Sequence, residues 1–279
     1  MSRARTPFLA IGHTARDEFP GGRWRLGGSA LYGAATAAKL GARVTLVTRV
    51  GPKERDALET LCDELGIALR ALPGDVTTTF GFTYDAAGHR TLRLRAKAAP
   101  ITRADVGRAV GTPKAVLLAS IAGELDDSLF APWSGARRVL AAQGLLRSFA
   151  ADGTVVAAPW RDYARLLPKV DAVVVSEEDH AEDSAWLPFT TVVVTQAERG
   201  SELHARGTTT HVRAFAVREV IDQTGAGDAF AASLALGLAE GLPIVRAATF
   251  ASAAASFAVE GLGMSRLADR ARVRERMGT

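Results

Sequence analysis

Short apolar runs, separated by stretches of helical length, recur along the whole chain. Residues 8–11, 44–47, 115–119, 155–158, 173–175 and 192–195 are each nearly continuous in Val, Ile, Leu, Ala and Phe. Strands without polar alternation are buried on both faces, as in a parallel sheet covered by helices. Helical stretches are predicted near 29–40, 54–65, 135–149 and 226–258. Strand–helix alternation of this kind gives a doubly wound α/β fold.

Two segments break the rhythm. Residues 16–26 carry Pro20-Gly21-Gly22 between polar arms that include aromatic residues. Residues 77–84 alternate apolar and polar, turn at Asp85-Ala86-Ala87-Gly88, and return as 90–95. That second pattern predicts a β-hairpin with one wet face. Together the segments near 16–26 and 77–95 would form a small sheet over the carboxyl ends of the strands, where α/β sheets bind ligands. No repeat, low-complexity tract or linker divides residues 1–279, so one domain with a lid is expected.

Composition narrows the class. With 48% hydrophobic and 23% charged residues, the chain is that of an ordinary globular protein. Its one cysteine, Cys62, lies in a helix-like run and fits a reducing cytosol. The N-terminal residues pass into a strand-like run without a signal-peptide pattern, and no apolar stretch reaches membrane-spanning length. A cytoplasmic protein without membrane contact is expected. The net charge of +4 comes from scattered basic residues. The densest group, 266–276, is interrupted by Asp269 and Glu275 and reads as a solvated helix rather than a nucleic-acid surface.

The chemistry concentrates at residues 222–230, Asp-Gln-Thr-Gly-Ala-Gly-Asp-Ala-Phe. There is no P-loop, no dinucleotide fingerprint after the first strand, no GxSxG elbow and no metal-ligand spacing among the five histidines. Gly225, Ala226 and Gly227 can expose backbone N–H groups at a helix start, where the helix dipole favours anions. Asp228 follows about one turn into the helix, placed to take a proton from an attacking hydroxyl. A plain helix start, capped by Thr224 or Asp222, accounts equally for a bare GxGD. A second constellation lies near the N-terminus, with Gly12 and Asp17 after the first strand and Gly27-Gly28 opening a helix. Asp17 could accept bonds from polyol hydroxyls, with the Gly27-Gly28 backbone approaching the same ligand. Glu124, after the strand 115–119, is a further pocket candidate.

The full string D-x-T-G-A-G-D-A-F resembles the signature of the ribokinase-like (PfkB) carbohydrate kinases. Asp17 with Gly27-Gly28, Val193-Val194-Thr195 before the turn at Arg199-Gly200, and Gly261-Leu262-Gly263-Met264-Ser265 extend the resemblance over nearly the whole chain. It implies a ribokinase-like fold and ATP-dependent phosphorylation of a sugar or cyclitol hydroxyl. Asp228 would be the base and Gly225, Ala226 and Gly227 the anion hole. Asp17, Gly27, Gly28 and Tyr32 would face the substrate, Thr195, Gly200, Thr224 and Ser176 the nucleotide. Mg²⁺, held mostly by phosphates and water, would sit near Asp179. A monovalent cation such as K⁺ would lie near Asp222 and 261–265.

Three positions depart from the family pattern. Tyr32 stands where many relatives have Asn, Ser176-Glu177-Glu178-Asp179 replaces N-x-x-E, and Ala197 replaces a glycine. Residues 143–149, with 176–179, look like the branch that includes inositol kinases, although 143–149 also reads as the core-facing half of a helix. A nucleoside kinase of the same fold, or a weakly catalytic regulator that binds sugar or nucleotide, remain alternatives. The pattern allows a monomer or a homodimer.

Overall fold

The computed structural model describes residues 4–84, 90–107, 111–179 and 185–279. The expected hairpin turn at 85–88 and the histidines 89 and 180 lie outside the described residues. Strands are β1 (Pro7–Ile11), β2 (Ala15–Glu18), β3 (Trp24–Gly27), β4 (Arg43–Val50), β5 (Ala68–Pro73), β6 (Thr78–Tyr84), β7 (Arg90–Ala96) and β8 (Ala115–Ala119). They continue as β9 (Arg137–Ala141), β10 (Arg147–Phe149), β11 (Val155–Ala157), β12 (Ala172–Ser176), β13 (Thr191–Thr195), β14 (Ser201–Ala205) and β15 (Thr208–Val212). Helices are α1 (Ser29–Lys39), α2 (Pro52–Leu65), α3 (Arg103–Val106), α4 (Tyr163–Leu166), α5 (Ala226–Ala239), α6 (Ile244–Ala258) and α7 (Arg270–Met277).

Nine strands form the central sheet in the order β15-β14-β13-β12-β9-β8-β1-β4-β5. All pairings from β13 to β5 are parallel; β14 and β15 add an antiparallel edge. Side chains alternate between two cores, as a pleat requires. Phe8, Ala10, Ala115 and Leu117 enter the core beneath α1, α2, α5 and α6. Leu9, Ile11, Val116 and Leu118 enter the opposite core, closed by short segments that carry Trp133, Trp160 and Trp186. Because both faces are buried, neither can be polar, which explains the unbroken apolar runs.

Two expectations are corrected. Residues 135–149 are not a helix: 137–141 is β9, inserted between β8 and β12, followed by a 3₁₀ turn and β10. Val139 and Leu140 are buried on opposite faces of the sheet, so their apolar character reflects two-sided burial rather than a helical stripe. Residues 155–158 do not enter the central sheet either. Val155–Ala157 pairs antiparallel with Arg147–Phe149 and is mostly exposed. The stretch 226–258 forms two helices, broken at Gly241 (φ 86°) and Pro243.

The two arrhythmic segments join in one four-stranded sheet, β3-β2-β6-β7. Its inner face carries Ala15, Phe80 and Phe82, which pack with Ile121 and Ala122 from the loop after β8. Phe19 stacks on Phe82 at 5.0 Å between ring centroids. The β10–β11 hairpin abuts the β7 edge through the Leu94 N–H to the Gly153 carbonyl at 2.8 Å. The small sheet thus stands over the carboxyl ends of β1, β8 and β9, as a lid.

Leu117 is fully buried at the centre of β8, beneath α1, where Gly33 lets the helix backbone close on it. Leu117→Ala is expected to destabilise the chain by about 2–5 kcal/mol in denaturant titration.

Candidate active site

Two helix N-termini meet at the carboxyl edge of the sheet. α1 begins after Gly28 (φ 96°), where a Cβ atom would press on the His13 carbonyl and the Ala15 N–H. α5 begins after Gly225 (φ 85°), where a Cβ atom would run into the Tyr32 ring. Both positions therefore require glycine on conformational and steric grounds. Neither Thr224 nor Asp222 caps α5 with its side chain. Asp222 instead folds back on its own loop, accepting the Thr224 N–H at 3.0 Å. The 222–227 turn is thus shaped by glycine, and the start of α5 faces a cleft lined by Gly225, Ala226 and Gly227. The Ala226 N–H is partly engaged, at 3.3 Å from the Gln223 carbonyl. A Cβ atom on Gly227 would meet only open space.

The cleft has a volume of about 850 Å³ and runs between the sheet edge and the lid. At its lid end stand Asp17, Phe80, Phe82, Leu92 and Ile121, with Ser29, Gln143, Arg147 and Asp228 toward the sheet. Asp17 lies on β2 and is nearly buried. Gly27 makes room for it, since a Cβ there would collide with the Asp17 carboxylate. The lining also includes the apolar residues Ala214, Phe215, Val217 and Val220, with Ala255 and Val259 of the α6 region. Ser176, Thr195, Gly200 and Thr224 line the same cleft.

Asp228 occupies the junction. Desolvation of this half-buried carboxyl pushes its pKa up to about 6, opposed by a hydrogen bond from Ser29 and by the Arg147 charge. A carboxylate with a pKa this near neutrality is suited to accept and return a proton. Ser29, the first residue of α1, so ties the N-terminal constellation to the signature loop. Sequence reasoning missed it, although its place directly after Gly27-Gly28 was the available signal.

Arg147 enters the cleft from β10 and pairs with Asp179 at 3.3 Å. Asp179 also accepts from Gln143 at 2.7 Å and from Ser176 at 3.0 Å, and its own N–H donates to Ser176 at 3.2 Å. Residues 143, 147, 176 and 179 thus form one polar cluster across β10 and β12. Its cost is that the Asp179 carboxylate is already filled by protein donors. Neighbouring Glu177 pairs with Arg199. Among the described residues no group of three His, Cys, Asp or Glu side chains converges as a metal cage. The donor set fits a magnesium ion carried on nucleotide phosphates and water rather than one held directly by Asp179.

Glu124 is corrected outright. It does not line the cleft, and its buried carboxylate is consumed by the His13, Ile121 and Ala122 N–H groups and the Ser120 hydroxyl at 2.9–3.1 Å. It fastens the loop that presents Ile121, and so supports the lid wall without facing a ligand. Tyr32 is also nearly buried. Its ring supports Gly225, and its hydroxyl has no hydrogen-bond partner. Burial and the carboxylates around it push its pKa up, with Arg25 opposing.

The expected monovalent-cation position does not fit an ion. Asp222 Oδ2 already accepts Arg25 at 2.8 Å and the Gly263 N–H at 3.2 Å. Burial would raise the Asp222 pKa, but hydrogen bonds from Thr224, Arg25 and Gly263 hold it below the usual carboxylate range. Arg25, on β3 of the lid, was not singled out from the sequence; its partner lies 197 residues away.

Comparison with known proteins places the chain in a family and a fold. A family model described as "pfkB family carbohydrate kinase" matches residues 15–269. Inositol 3-kinase of Zea mays is 37% identical over 158 residues, covering 53% of this chain and 40% of that protein. The bifunctional protein HldE of Azorhizobium caulinodans is 32% identical over 281 residues, covering 92% of this chain and 56% of its own. The chain therefore spans less than two thirds of the length of either relative. A solved pyrophosphate-dependent kinase in the ribokinase family superposes with a TM-score of 0.79 at 21% identity, covering 97% of this chain and 99% of that one. At that identity it establishes the ribokinase-like fold.

Two stability measurements test the site. Ala197 has φ 48°, a left-handed conformation that costs a non-glycine residue on the order of 1 kcal/mol. Ala197→Gly is expected to raise the melting temperature. Asp228 ionises near pH 4 when unfolded but near pH 6 when folded. The native carboxyl therefore costs stability progressively as pH rises from about 4 to 6, and fully above that. Asp228→Asn should be more stable than the parent at pH 8, with the advantage vanishing below about pH 4.

Proposed function

The chain belongs to the pfkB family of carbohydrate kinases, and from that premise we propose that it transfers the γ-phosphoryl group of ATP to a hydroxyl of a sugar or cyclitol. The observation that carries the reading is Asp228. It is a carboxylate with a raised pKa, held by Ser29, one turn into a glycine-opened helix that faces the cleft. In this account the acceptor hydroxyl lies between Asp17 and Asp228. Its oxygen attacks the γ-phosphorus while its proton passes to Asp228, and the bridging oxygen departs with ADP. Backbone N–H groups of Gly225, Ala226 and Gly227 face the charge that spreads over the transferring group. Arg147, beside Asp228 and Asp179, adds a positive charge at the same place. Magnesium on the nucleotide would neutralise the phosphate charge.

ATP rather than pyrophosphate is favoured as donor by the apolar side chains Phe215, Val217, Val220 and Val259 in the cleft lining, on which an adenine ring could pack and which pyrophosphate would not use. A polyhydroxylated ring is favoured by Asp17, Gln143 and Arg147 opposite an apolar wall, since such rings present hydroxyl edges and C–H faces. A nucleoside acceptor is the second reading, because Phe80, Phe82, Leu92 and Ile121 form a wall on which a base could also pack. One free buried cysteine, Cys62, accords with action in the reducing cytoplasm. Among the described residues, no helix is long and apolar enough to cross a membrane.

An ADP-release screen over inositols, pentoses, hexoses and nucleosides, repeated with pyrophosphate, tests this reading. Turnover is expected with ATP and a cyclitol or sugar. Asp228→Asn should remain folded and lower kcat by about 10²–10⁴-fold. Undiminished turnover in that variant would remove Asp228 as the base.

A further inference from the structure

Arg25 joins two parts of the site that are far apart in sequence. On β3 it sits directly across the ladder from Asp17 on β2. Its guanidinium reaches out of the lid to Asp222, at the entrance to the anion-hole turn, at 2.8 Å. The same carboxylate oxygen takes the Gly263 N–H, and the other takes the Thr224 N–H. Gly263 brings the chain so close that a Cβ there would lie 3.8 Å from the guanidinium and 3.6 Å from the Tyr32 hydroxyl. Arg25 Nε and the Tyr32 hydroxyl are both buried with no hydrogen-bond partner. One positive charge thus sits in a partial enclosure of Asp222, Asp17, Tyr32 and Gly263, with the Arg25 side chain 27% exposed.

That enclosure is where the sequence resemblance implied an exchangeable monovalent cation. A carboxylate already bonded to a guanidinium has no reason to bind a second, weaker cation. The charge it needs is covalently attached and, in arginine, present at every working pH. We infer that Arg25 is a built-in cation of the anion-hole turn, replacing a monovalent ion, so that phosphoryl transfer proceeds without K⁺ or Na⁺. Because Arg25 belongs to β3, the same charge also ties the lid sheet to the turn, which an ion from solvent would not do. The Phe19 ring, 5.0 Å from the guanidinium carbon, stands beside this link on the lid side.

The inference rests on the kinase reading, and one experiment separates the two. Turnover and melting temperature are measured in K⁺, Na⁺ and tetramethylammonium salts at matched ionic strength. The parent chain, Arg25→Ala and Arg25→Lys are compared. The parent is expected to turn over equally in all three salts, with an unchanged melting temperature. Arg25→Ala should lose about 10–100-fold in kcat in tetramethylammonium, the worth of a charge-assisted hydrogen bond, and regain much of it in K⁺. Its melting temperature should rise with K⁺ as well. Arg25→Lys keeps a charge and should stay ion-independent. A parent active only in K⁺ or Na⁺ overturns the inference and leaves the kinase reading intact. Arg25→Ala that is fully active without either ion, or inactive and unrescued while still folded, also overturns it. If no salt and no acceptor gives turnover, the kinase reading fails, and the melting temperatures alone decide for or against Arg25.

Discussion

The close approach of two helix N-termini, α1 and α5, governs this molecule. Gly33 has no side chain, and a Cβ placed there would lie 3.5 Å from Ala232 and 3.8 Å from the Asp228 carbonyl. The small residues of both helices let their first turns converge at the sheet edge. Only at that separation can Ser29 hydrogen-bond Asp228 and the Tyr32 ring lie against Gly225. The desolvation that raises the Asp228 pKa is another consequence of the same closeness. Packing, the raised pKa of Asp228 and the shape of the 222–227 turn therefore share one cause.

The lid supplies the second half of the site by a different route. Its inner face is held by apolar packing of Phe80, Phe82, Ile121 and Phe19, and its loop support comes from buried Glu124. The His13 ring, paired with the Thr78 hydroxyl at 2.7 Å and the Ala99 carbonyl at 3.0 Å, pins β6 to the end of β1. Burial lowers the His13 pKa, so this link stays uncharged near neutrality. Asp17 and Arg25 then ride on a sheet whose position is fixed. One faces the cleft and the other reaches the anion-hole turn.

Much of this was legible in the sequence, for identifiable reasons. Buried strands such as 115–119 and 192–195 announce themselves because burial on both faces forbids polar residues. The string 222–230 is legible because each glycine and the aspartate answer to local backbone geometry. Residues 135–149 misled because Arg137, Arg138 and the apolar run after them fit a helical spacing as well as a two-sided strand; only the neighbours β8 and β12 decide. Asp179 and Asp222 were read as open carboxylates because their partners, Gln143, Arg147 and Arg25, come from other parts of the chain. Glu124 misleads for a different reason: its partners are mostly Ser120, Ile121 and Ala122, and a carboxylate that closes its own loop looks, in sequence, like one that faces a ligand.

The central claim is that Asp228, made less acidic by the partial desolvation of its carboxyl, is the group that takes the acceptor's proton. The pH dependence of kcat/KM for the unmodified chain tests it most directly, since that quantity reports the ionisation of the free enzyme. The account predicts activity that rises through an inflection at about pH 6 and then levels off. A profile flat through that region, or one that falls as the carboxyl ionises, would contradict it.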